Sequence, residues 1–248
     1  MNQLVLSMMF KKLCMALFCL ILLTILGGVM RTFGGPVSDH RREAAQIDGH
    51  ILEQEAIIRV YGARTWGWRK IFAVHTWIAI KPAGASEFLI YEVIGWRHYR
   101  GLNSIRRSSR VADAPWFGQP AKLIFEQRGD IAAEVADSID EVIKHYPYQD
   151  RYRAWPGPNS NTFIAWLGQQ YPRLALDLPS TAIGKDYRAF PTLLSSSASG
   201  GMHLGLVGLF ALSLGVSEGI EISILGLNIE FDLFDAAIEI PGAGRIGN

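Results

Sequence analysis

After residue 54 the chain carries short apolar runs rich in β-branched and aromatic residues and bounded by Gly and Pro. This pattern predicts strands. Four runs have it: EAIIRVYGA (55–63), RKIFAVHTWIAI (69–80), EFLIYEVIGW (87–96) and AKLIFEQ (121–127). The short connection between the second and third runs predicts a hairpin. We therefore expect an antiparallel sheet.

Two segments with helical spacing follow the strand runs. In the first, apolar residues recur every three or four positions between Asp130, the predicted N-cap, and Pro147. The second begins within 159–161, after the break WPGP, and ends before Pro172. Strands followed by helices predict an α+β domain, an antiparallel sheet with packed helices, at residues 54–192.

The last quarter of the chain is rich in glycine and in short apolar runs. The small residues of LLSSSASGG predict a linker at 193–201. Polar and apolar residues nearly alternate at 221–224. This favours a Gly-rich β extension, residues 202–248, packed on the main sheet or at a bilayer surface. A second membrane helix at 202–217 is the alternative, because that stretch has no Asp, Glu, Lys or Arg. It is short for a span.

An uncharged apolar run occupies residues 13–30 near the start of the chain. As a helix, it would be about 27 Å long, close to the roughly 30 Å hydrocarbon thickness of a bilayer. Basic residues flank it on both sides. We predict a single transmembrane anchor there, after a short segment 1–12 and before a stalk at 31–53. A cleaved signal peptide is the competing interpretation.

Charge and cysteine content limit the classes of partner. The 24 Lys and Arg residues nearly balance the 23 Asp and Glu residues, and the net charge of +1 argues against nucleic acid as a partner. Both cysteines lie in the predicted anchor, so no disulfide is expected in the rest of the chain. No zinc-ligand spacing occurs. We predict no metal and no cofactor, and we expect membrane lipid as a partner.

Two isolated polar residues interrupt the apolar strand runs: His75 in IFAVHTWIAI and Glu92 in FLIYEVIGW. In a hairpin centred between Ala83 and Gly84, these two residues face each other. A carboxylate that holds one imidazole nitrogen leaves the other nitrogen as a general base. The pairing therefore predicts a catalytic base and its orienting group. A satisfied core histidine is the alternative.

The hydroxyl on which such a base would act is predicted at the start of the second helix. Ser160 lies there, where helix N–H groups and the positive end of the helix dipole stabilise an oxyanion. Asn159 and Asn161 are candidate substrate or oxyanion contacts. The alternative is structural, since Asn and Ser are common helix caps and turn residues.

A basic cluster follows the third strand run. It contains five arginines with no acidic residue among them: Arg97, Arg100, Arg106, Arg107 and Arg110. On a membrane-tethered domain, we expect such a cluster to bind anionic headgroups or phosphate-bearing glycopolymers. A solvated loop is the alternative interpretation.

The motifs HTWIAI, a strand ending in YE, and NSNTF (159–163) together resemble the circularly permuted papain-like superfamily. This superfamily includes lecithin-retinol-acyltransferase-like proteins and bacterial cell-wall amidases. The resemblance covers residues 55–172 and implies a papain-like fold, with His75 as catalytic histidine and Glu92 in the polar orienting position. It implies that Ser160 stands where the Asn-Cys-x-x-Phe motif of the superfamily has its nucleophilic cysteine.

A second resemblance concerns the end of the domain. LPSTAIGKDY (178–187) and the glycine-rich segment after it are similar to a bacterial membrane-associated family of unknown function. Such a resemblance names no activity. It implies that the C-terminal extension belongs to the architecture of the protein.

These observations predict a bacterial inner-membrane protein with its globular part outside the cytoplasm. Its expected activity is that of a hydrolase or acyltransferase on an amide or ester of cell-wall peptide or lipid. Peptidoglycan peptide is one candidate substrate. The alternatives are a non-catalytic binding or structural module of the envelope and a basic lipid-surface adaptor.

Overall fold

The computed structural model describes residue 12 and residues 54–188, 194–196, 201–215 and 219–247. The predicted anchor at 13–30 and the stalk at 31–53 lie outside the described residues. Within the described part of the chain, no helix is both long and apolar enough to cross a membrane.

The first sheet has five strands, in the order β4-β3-β2-β1-β5, and the neighbouring strands are antiparallel. This confirms the antiparallel sheet predicted from the sequence. The strands are β1 (Ile57–Arg64), β2 (Val74–Lys81), β3 (Leu89–Val93), β4 (Ile105–Ser108) and β5 (Lys122–Arg128).

Two differences from the predicted strands affect the site. The run at 69–80 does not begin as a strand, because Gly67–Ile71 form a 3-10 helix. Gly67 has a φ of 67°, a left-handed conformation that interrupts an extended chain. Strand β4 lies in the arginine-rich segment, which was predicted as a loop or an anion-binding cluster. Its sequence IRRS lacks the apolar content on which strand prediction depends.

Three α-helical segments accompany this sheet: α1 (Gly95–His98), α2 (Asp130–Ile143) and α3 (Ser160–Gln170). A 3-10 turn at Pro172–Leu174 follows α3. The two predicted helices therefore exist with nearly the predicted bounds. The N-cap of α2 is Gly129 rather than Asp130, because the chain turns there with a φ of 75°.

The two faces of the first sheet bury different side chains, because alternate residues of a strand point to opposite faces. On one face, Ile58 and Ile78 pack with α2 and α3 through residues such as Val135 and Phe163. The other face carries a smaller cluster that includes Tyr61, Trp77 and Ile90. His75 and Glu92 lie on this second face, in step with Trp77 and Ile90.

The second sheet is a seven-stranded antiparallel meander in the order β12-β11-β10-β9-β8-β7-β6. Residues 202–215 are strands and a turn, so the alternative of a membrane helix at 202–217 is wrong. Part of the predicted linker, 194–196, pairs with β7. The strands are β6 (Leu194–Ser196), β7 (Met202–Leu206), β8 (Phe210–Gly215), β9 (Gly219–Ile224), β10 (Leu227–Asp232), β11 (Ala237–Ile240) and β12 (Gly244–Ile246).

The second sheet buries a polar face and turns apolar side chains outward. The buried side chains include His203, Ser213, Glu221, Ser223, Asn228 and Glu230. This face meets the end of residues 54–188, called the first unit here, where Lys185 binds Glu221 and the Ser180 hydroxyl donates to Glu239 over 2.9 Å. Leucine and isoleucine side chains of the same strands are more exposed. The second sheet therefore meets the segment that follows α3 through ion pairs and hydrogen bonds.

Candidate functional site

A gap between β2 and β3 forms the site. These strands pair only from Ile78–Ile80 to Leu89–Tyr91, so the first residues of β2 have no partner on the β3 side. There the chain leaves β3 through Ile94 into α1. Val74 and His75 of β2 and Val93 of β3 are among the residues that line the cleft. The splayed strands open the sheet at the position of His75.

His75 and Glu92 contact each other as predicted, but the predicted register is wrong. Ile78 stands opposite Tyr91, so Glu92 faces Trp77 and lies two positions from the place opposite His75. The hairpin is centred between Gly84 and Ala85. A shift of two residues keeps a side chain on the same face, and a diagonal pair remains within reach. The Nε2 of His75 is 3.2 Å from Oε2 of Glu92.

Burial and hydrogen bonding determine the protonation of this pair. Burial lowers the pKa of His75, and the neighbouring Glu92 only partly offsets this effect. Burial alone would raise the pKa of Glu92, but the hydrogen bond with His75 and the charge of Arg110 lower it. At neutral pH the carboxylate is therefore ionised and the imidazole neutral. Because the carboxylate can only accept, Nε2 carries the proton and Nδ1 is the basic nitrogen.

Two further residues complete the setting of the imidazole. The Trp116 ring stacks on His75 with a centroid distance of 3.8 Å and an interplanar angle of 14°. The Arg110 guanidinium lies 3.4 Å from Oε1 of Glu92 and also over the Trp77 ring. The sequence did not reveal Trp116 as a site residue, because it is about forty positions from His75 and carries no local motif. A stacking ring and a guanidinium fix the plane of the pair.

The start of α3 is capped by Asn159 and not by Ser160. The Asn159 side chain accepts from the N–H groups of Asn161 and Thr162, and the Thr162 hydroxyl accepts from the Asn159 N–H. The side-chain nitrogen of Asn159, Nδ2, also donates to the carbonyls of Ala154 and Ile183. Asn159 thus satisfies the first turn of α3. The Ser160 hydroxyl has no hydrogen bond to any described residue.

Asn161 ties α3 to the beginning of β2. Its Oδ1 accepts from the Thr76 hydroxyl over 2.8 Å, and its Nδ2 donates to the carbonyls of Val74 and Ile183 over 3.1 and 2.8 Å. These bonds reach the residues on either side of His75 in β2. Both predicted asparagines therefore have their amide groups engaged by the protein, and they position Ser160 beside the strand that carries His75.

His75 and Ser160 line one cleft of about 790 Å³. Asn159 and Asn161 lie at the same wall. The structure records no hydrogen bond between the Ser160 hydroxyl and the His75 ring, so the two groups share the cleft without being hydrogen-bonded to each other. The Ser160 N–H is the first of α3, and none of the described groups accepts from it. The cleft thus presents a hydroxyl, an unbonded N–H and an imidazole to any bound molecule.

The five arginines of the predicted anion-binding cluster have different neighbours in this structure. Arg107 donates to the Tyr91 hydroxyl over 3.1 Å, on the helix-bearing face of the sheet. Arg110 binds Glu92 on the opposite face, and Arg106 stands opposite Glu92 across β3 and β4. Arg97 donates to the Asn103 carbonyl, and Arg100 is exposed. Among the described residues, no group of three or more His, Cys, Asp or Glu side chains is arranged to hold a metal.

The described chain is a mixed α/β protein built on two antiparallel sheets, and residues of both line its cleft. A family model described as "Protein of unknown function (DUF3750)" matches residues 55–187. The match covers more than half of the 248 residues, so the chain belongs to this family. This confirms the similarity to a family of unknown function inferred from LPSTAIGKDY. The comparisons with curated proteins and with solved structures give no match.

Proposed function

We propose that this protein is a serine-dependent hydrolase or acyltransferase with a permuted papain-like site formed by His75, Glu92 and Ser160. One observation carries the proposal: the His75 imidazole, held by a buried carboxylate, opens onto the same cleft as the hydroxyl at the start of α3. A nucleophile, a base and an orienting group are the parts that acyl transfer requires.

The proposed reaction proceeds in two halves. Nδ1 of His75 takes the proton of the Ser160 hydroxyl as the oxygen attacks the carbonyl carbon of an ester or amide. The oxyanion of the tetrahedral intermediate accepts from the Ser160 N–H at the positive end of α3. The leaving alcohol or amine takes the proton from His75, and an acyl ester of Ser160 remains. Water or an acceptor alcohol or amine then releases the acyl group through the same base.

The protonation states fit these roles. A lowered pKa keeps His75 unprotonated at neutral pH, as a general base must be. Glu92 stays ionised and stabilises the imidazolium that forms when the proton is transferred. The missing hydrogen bond between Ser160 and His75 is compatible with this scheme, because catalytic hydrogen bonds often tighten only when substrate binds.

Fluorophosphonate labelling tests the enzyme proposal. We expect the full-length protein to incorporate the probe at Ser160, and we expect Ser160→Ala and His75→Ala to abolish incorporation. Ser86→Ala replaces an exposed serine in the β2–β3 turn and is the matched control. Equal labelling of the parent and the Ser160→Ala variant would eliminate the catalytic role of Ser160.

A non-catalytic binding module is the second candidate function. The lack of a hydrogen bond between Ser160 and His75 supports it, as does the fact that Glu92 is also bound by Arg110. In such a module the cleft binds its ligand and no bond breaks. Ligand binding without any labelling of Ser160 is the result that this candidate predicts.

The proposed location is the bacterial inner membrane, with the domain outside the cytoplasm. The uncharged run at 13–30 supports this proposal, since its length suits a bilayer. Retention of the full-length protein in the membrane pellet after carbonate extraction tests the anchor. A C-terminal alkaline phosphatase fusion, which is active only outside the cytoplasm, tests the orientation.

A further inference from the structure

The cleft that contains His75 and Ser160 is built largely from apolar side chains. Among its described lining residues, Arg69 is the only Lys, Arg, Asp or Glu, and its side chain is exposed to solvent. Six aromatic side chains of the lining remain strongly exposed: Trp66, Trp68, Trp96, Tyr99, Phe117 and Trp155. Exposed aromatic side chains gathered around a concave site indicate an apolar ligand.

This lining distinguishes between the two substrate classes that the proposed chemistry allows. An extended peptide brings an N–H and a carbonyl with every residue, and each of these groups costs free energy if it is buried without a partner. Few polar groups of the lining are available to a peptide backbone, because Asn159 and Asn161 are already engaged by the protein and most other lining residues are apolar or aromatic. An aliphatic acyl chain needs a hydrogen-bond partner only for its carbonyl.

One wall of the cleft comes from outside the segment that the family model matches. Leu225 and Leu227, at the turn between β9 and β10, both line the cleft. The indole of Trp155 donates to the Leu225 carbonyl over 2.7 Å and fixes this turn against the first unit. Glycine suits position 226, because its φ is 75° and a Cβ there would lie 3.3 Å from Ile183. The second sheet thus completes the cleft.

We propose that the cleft binds a single aliphatic acyl chain, with its carbonyl at Ser160, and that the Leu225–Leu227 turn forms the wall that limits the chain length accepted. The proposal rests on the proposed function for the position of the carbonyl. It makes the second sheet a specificity element of the active site. The residues that determine the specificity of the site are Leu225, Leu227 and Trp155.

Photolabelling tests this inference without requiring catalysis. A dodecanoyl probe with a diazirine near the end of its chain is cross-linked to the full-length Ser160→Ala protein, and the labelled peptides are mapped. We expect label on the β9–β10 turn and on the peptide that contains Trp155. Competition by unlabelled fatty acids should strengthen about fourfold per methylene from hexanoate upward, until the chain reaches the wall.

A pair of leucine substitutions supplies the control. Leu225 has a φ of 53°, a left-handed conformation that Asp tolerates, so Leu225→Asp places a charge in the cleft with little backbone cost. We expect this variant to lose at least tenfold in labelling yield. Leu233→Asp makes the same exchange at an exposed turn outside the cleft and should label like the parent.

The outcomes separate this inference from the proposed function. Label confined to other surfaces, competition independent of chain length, or equal labelling of the two leucine variants would overturn the acyl-chain site. If the cleft is labelled with the expected chain-length dependence while Ser160 never reacts with fluorophosphonate, the acyl-chain site stands and the enzyme proposal fails.

Discussion

His75 and Glu92 form a hydrogen-bonded pair although they do not stand opposite each other in the sheet. Their Nε2 and Oε2 atoms are 3.2 Å apart, while the register of β2 and β3 offsets the two residues by two positions. Because the offset is even, both side chains point to the same face. The contact therefore depends on a diagonal across the splayed end of the hairpin, where Trp116 and Arg110 hold the pair in place.

Substitution of the orienting carboxylate should move the pH profile of the reaction. The pKa of His75 is lowered by burial and partly restored by Glu92, so activity should fall only in acid, below the usual range of histidine. Glu92→Gln removes the restoring charge, so the acidic limb of kcat/KM should shift to lower pH. We also expect a rate loss on the order of 10²-fold, because the imidazolium is no longer stabilised.

The measurement is kcat/KM for a short-chain ester between acidic and mildly alkaline pH. Glu87→Gln changes an exposed carboxylate in the β2–β3 turn and is the control. An acidic limb at the same pH in the parent and in Glu92→Gln would show that Glu92 does not govern the titration of His75.

A cysteine at position 160 would report on the same base. In a background with Cys14→Ser and Cys19→Ser, we expect the thiol of Ser160→Cys to react rapidly with iodoacetamide near neutral pH. The helix N-terminus and the neighbouring imidazole favour the thiolate. Adding His75→Ala should slow alkylation at least tenfold. A thiol whose reactivity is insensitive to His75 would place the two residues too far apart for proton transfer.

Much of the first unit follows from local sequence, and the site only partly does. The runs around His75 and Glu92 are apolar enough to predict both strands, and the PNSNT sequence predicts the start of α3. The contacts of Trp116 with His75, and of Leu225 with the cleft, join residues far apart in the chain and leave no local signal. The predicted register of β2 and β3 is wrong by two residues, because turn geometry and not strand composition sets the register.

The second sheet shows a different limit of sequence reasoning. Alternation in β9 predicts a strand correctly, but it does not say which face of the strand is buried. In the structure Glu221 and Ser223 are buried and the isoleucines are less so. Glu221 faces inward because the buried Lys185 of the adjoining first unit pairs with its carboxylate. An alternating pattern gives the period of a strand, but the adjoining surface decides which face is covered.

The tight approach of Gly184 to Asn159 predicts a position-specific alanine effect. Gly184 has a φ of 92°, and a Cβ there would lie 2.4 Å from the Asn159 amide nitrogen. Gly184→Ala should therefore displace the cap of α3 and destabilise the protein by about 2–4 kcal/mol. Gly84→Ala is the matched control, because its φ is 74° but a Cβ there meets nothing within 4 Å.

Urea unfolding of both glycine variants, with labelling of Ser160, checks this expectation. The strain of a positive φ is common to the two sites, so the difference between them isolates the contact with Asn159. Equal destabilisation of the two variants would mean that Asn159 adjusts freely to an added methyl group.

The ion pair between Lys185 and Glu221 should be strongly coupled. Both side chains are buried where the segment after α3 meets the second sheet. Lys185→Met leaves the Glu221 carboxylate without this cation and should cost about 3–5 kcal/mol. Combining it with Glu221→Met replaces the pair by apolar side chains and should recover at least half of the loss. Additive effects of the two single variants in a double-mutant cycle would contradict the coupling.

The buried carboxyl of Glu230 should make stability depend on pH. Burial and the nearby Asp177 raise its pKa to about 7. In the unfolded chain the pKa of a glutamate is near its ordinary value of 4.5. Between these values the folded protein holds a proton that the unfolded chain has lost, so the free energy of unfolding falls as pH rises through this window. Above about pH 7 the folded protein bears the full cost of burying the ionised carboxylate.

Glu230→Gln removes this titration while it keeps the size of the protonated side chain. We therefore expect the variant to unfold at a higher urea concentration than the parent at pH 8, by a free energy of up to about 3 kcal/mol, and to match the parent near pH 4.5. His203, whose pKa burial lowers to about 4, titrates in both proteins, so its contribution cancels in the difference. Glu87→Gln should show no such pH-dependent gain. A stability difference that does not change with pH would assign the effect of Glu230→Gln to packing rather than to the buried charge.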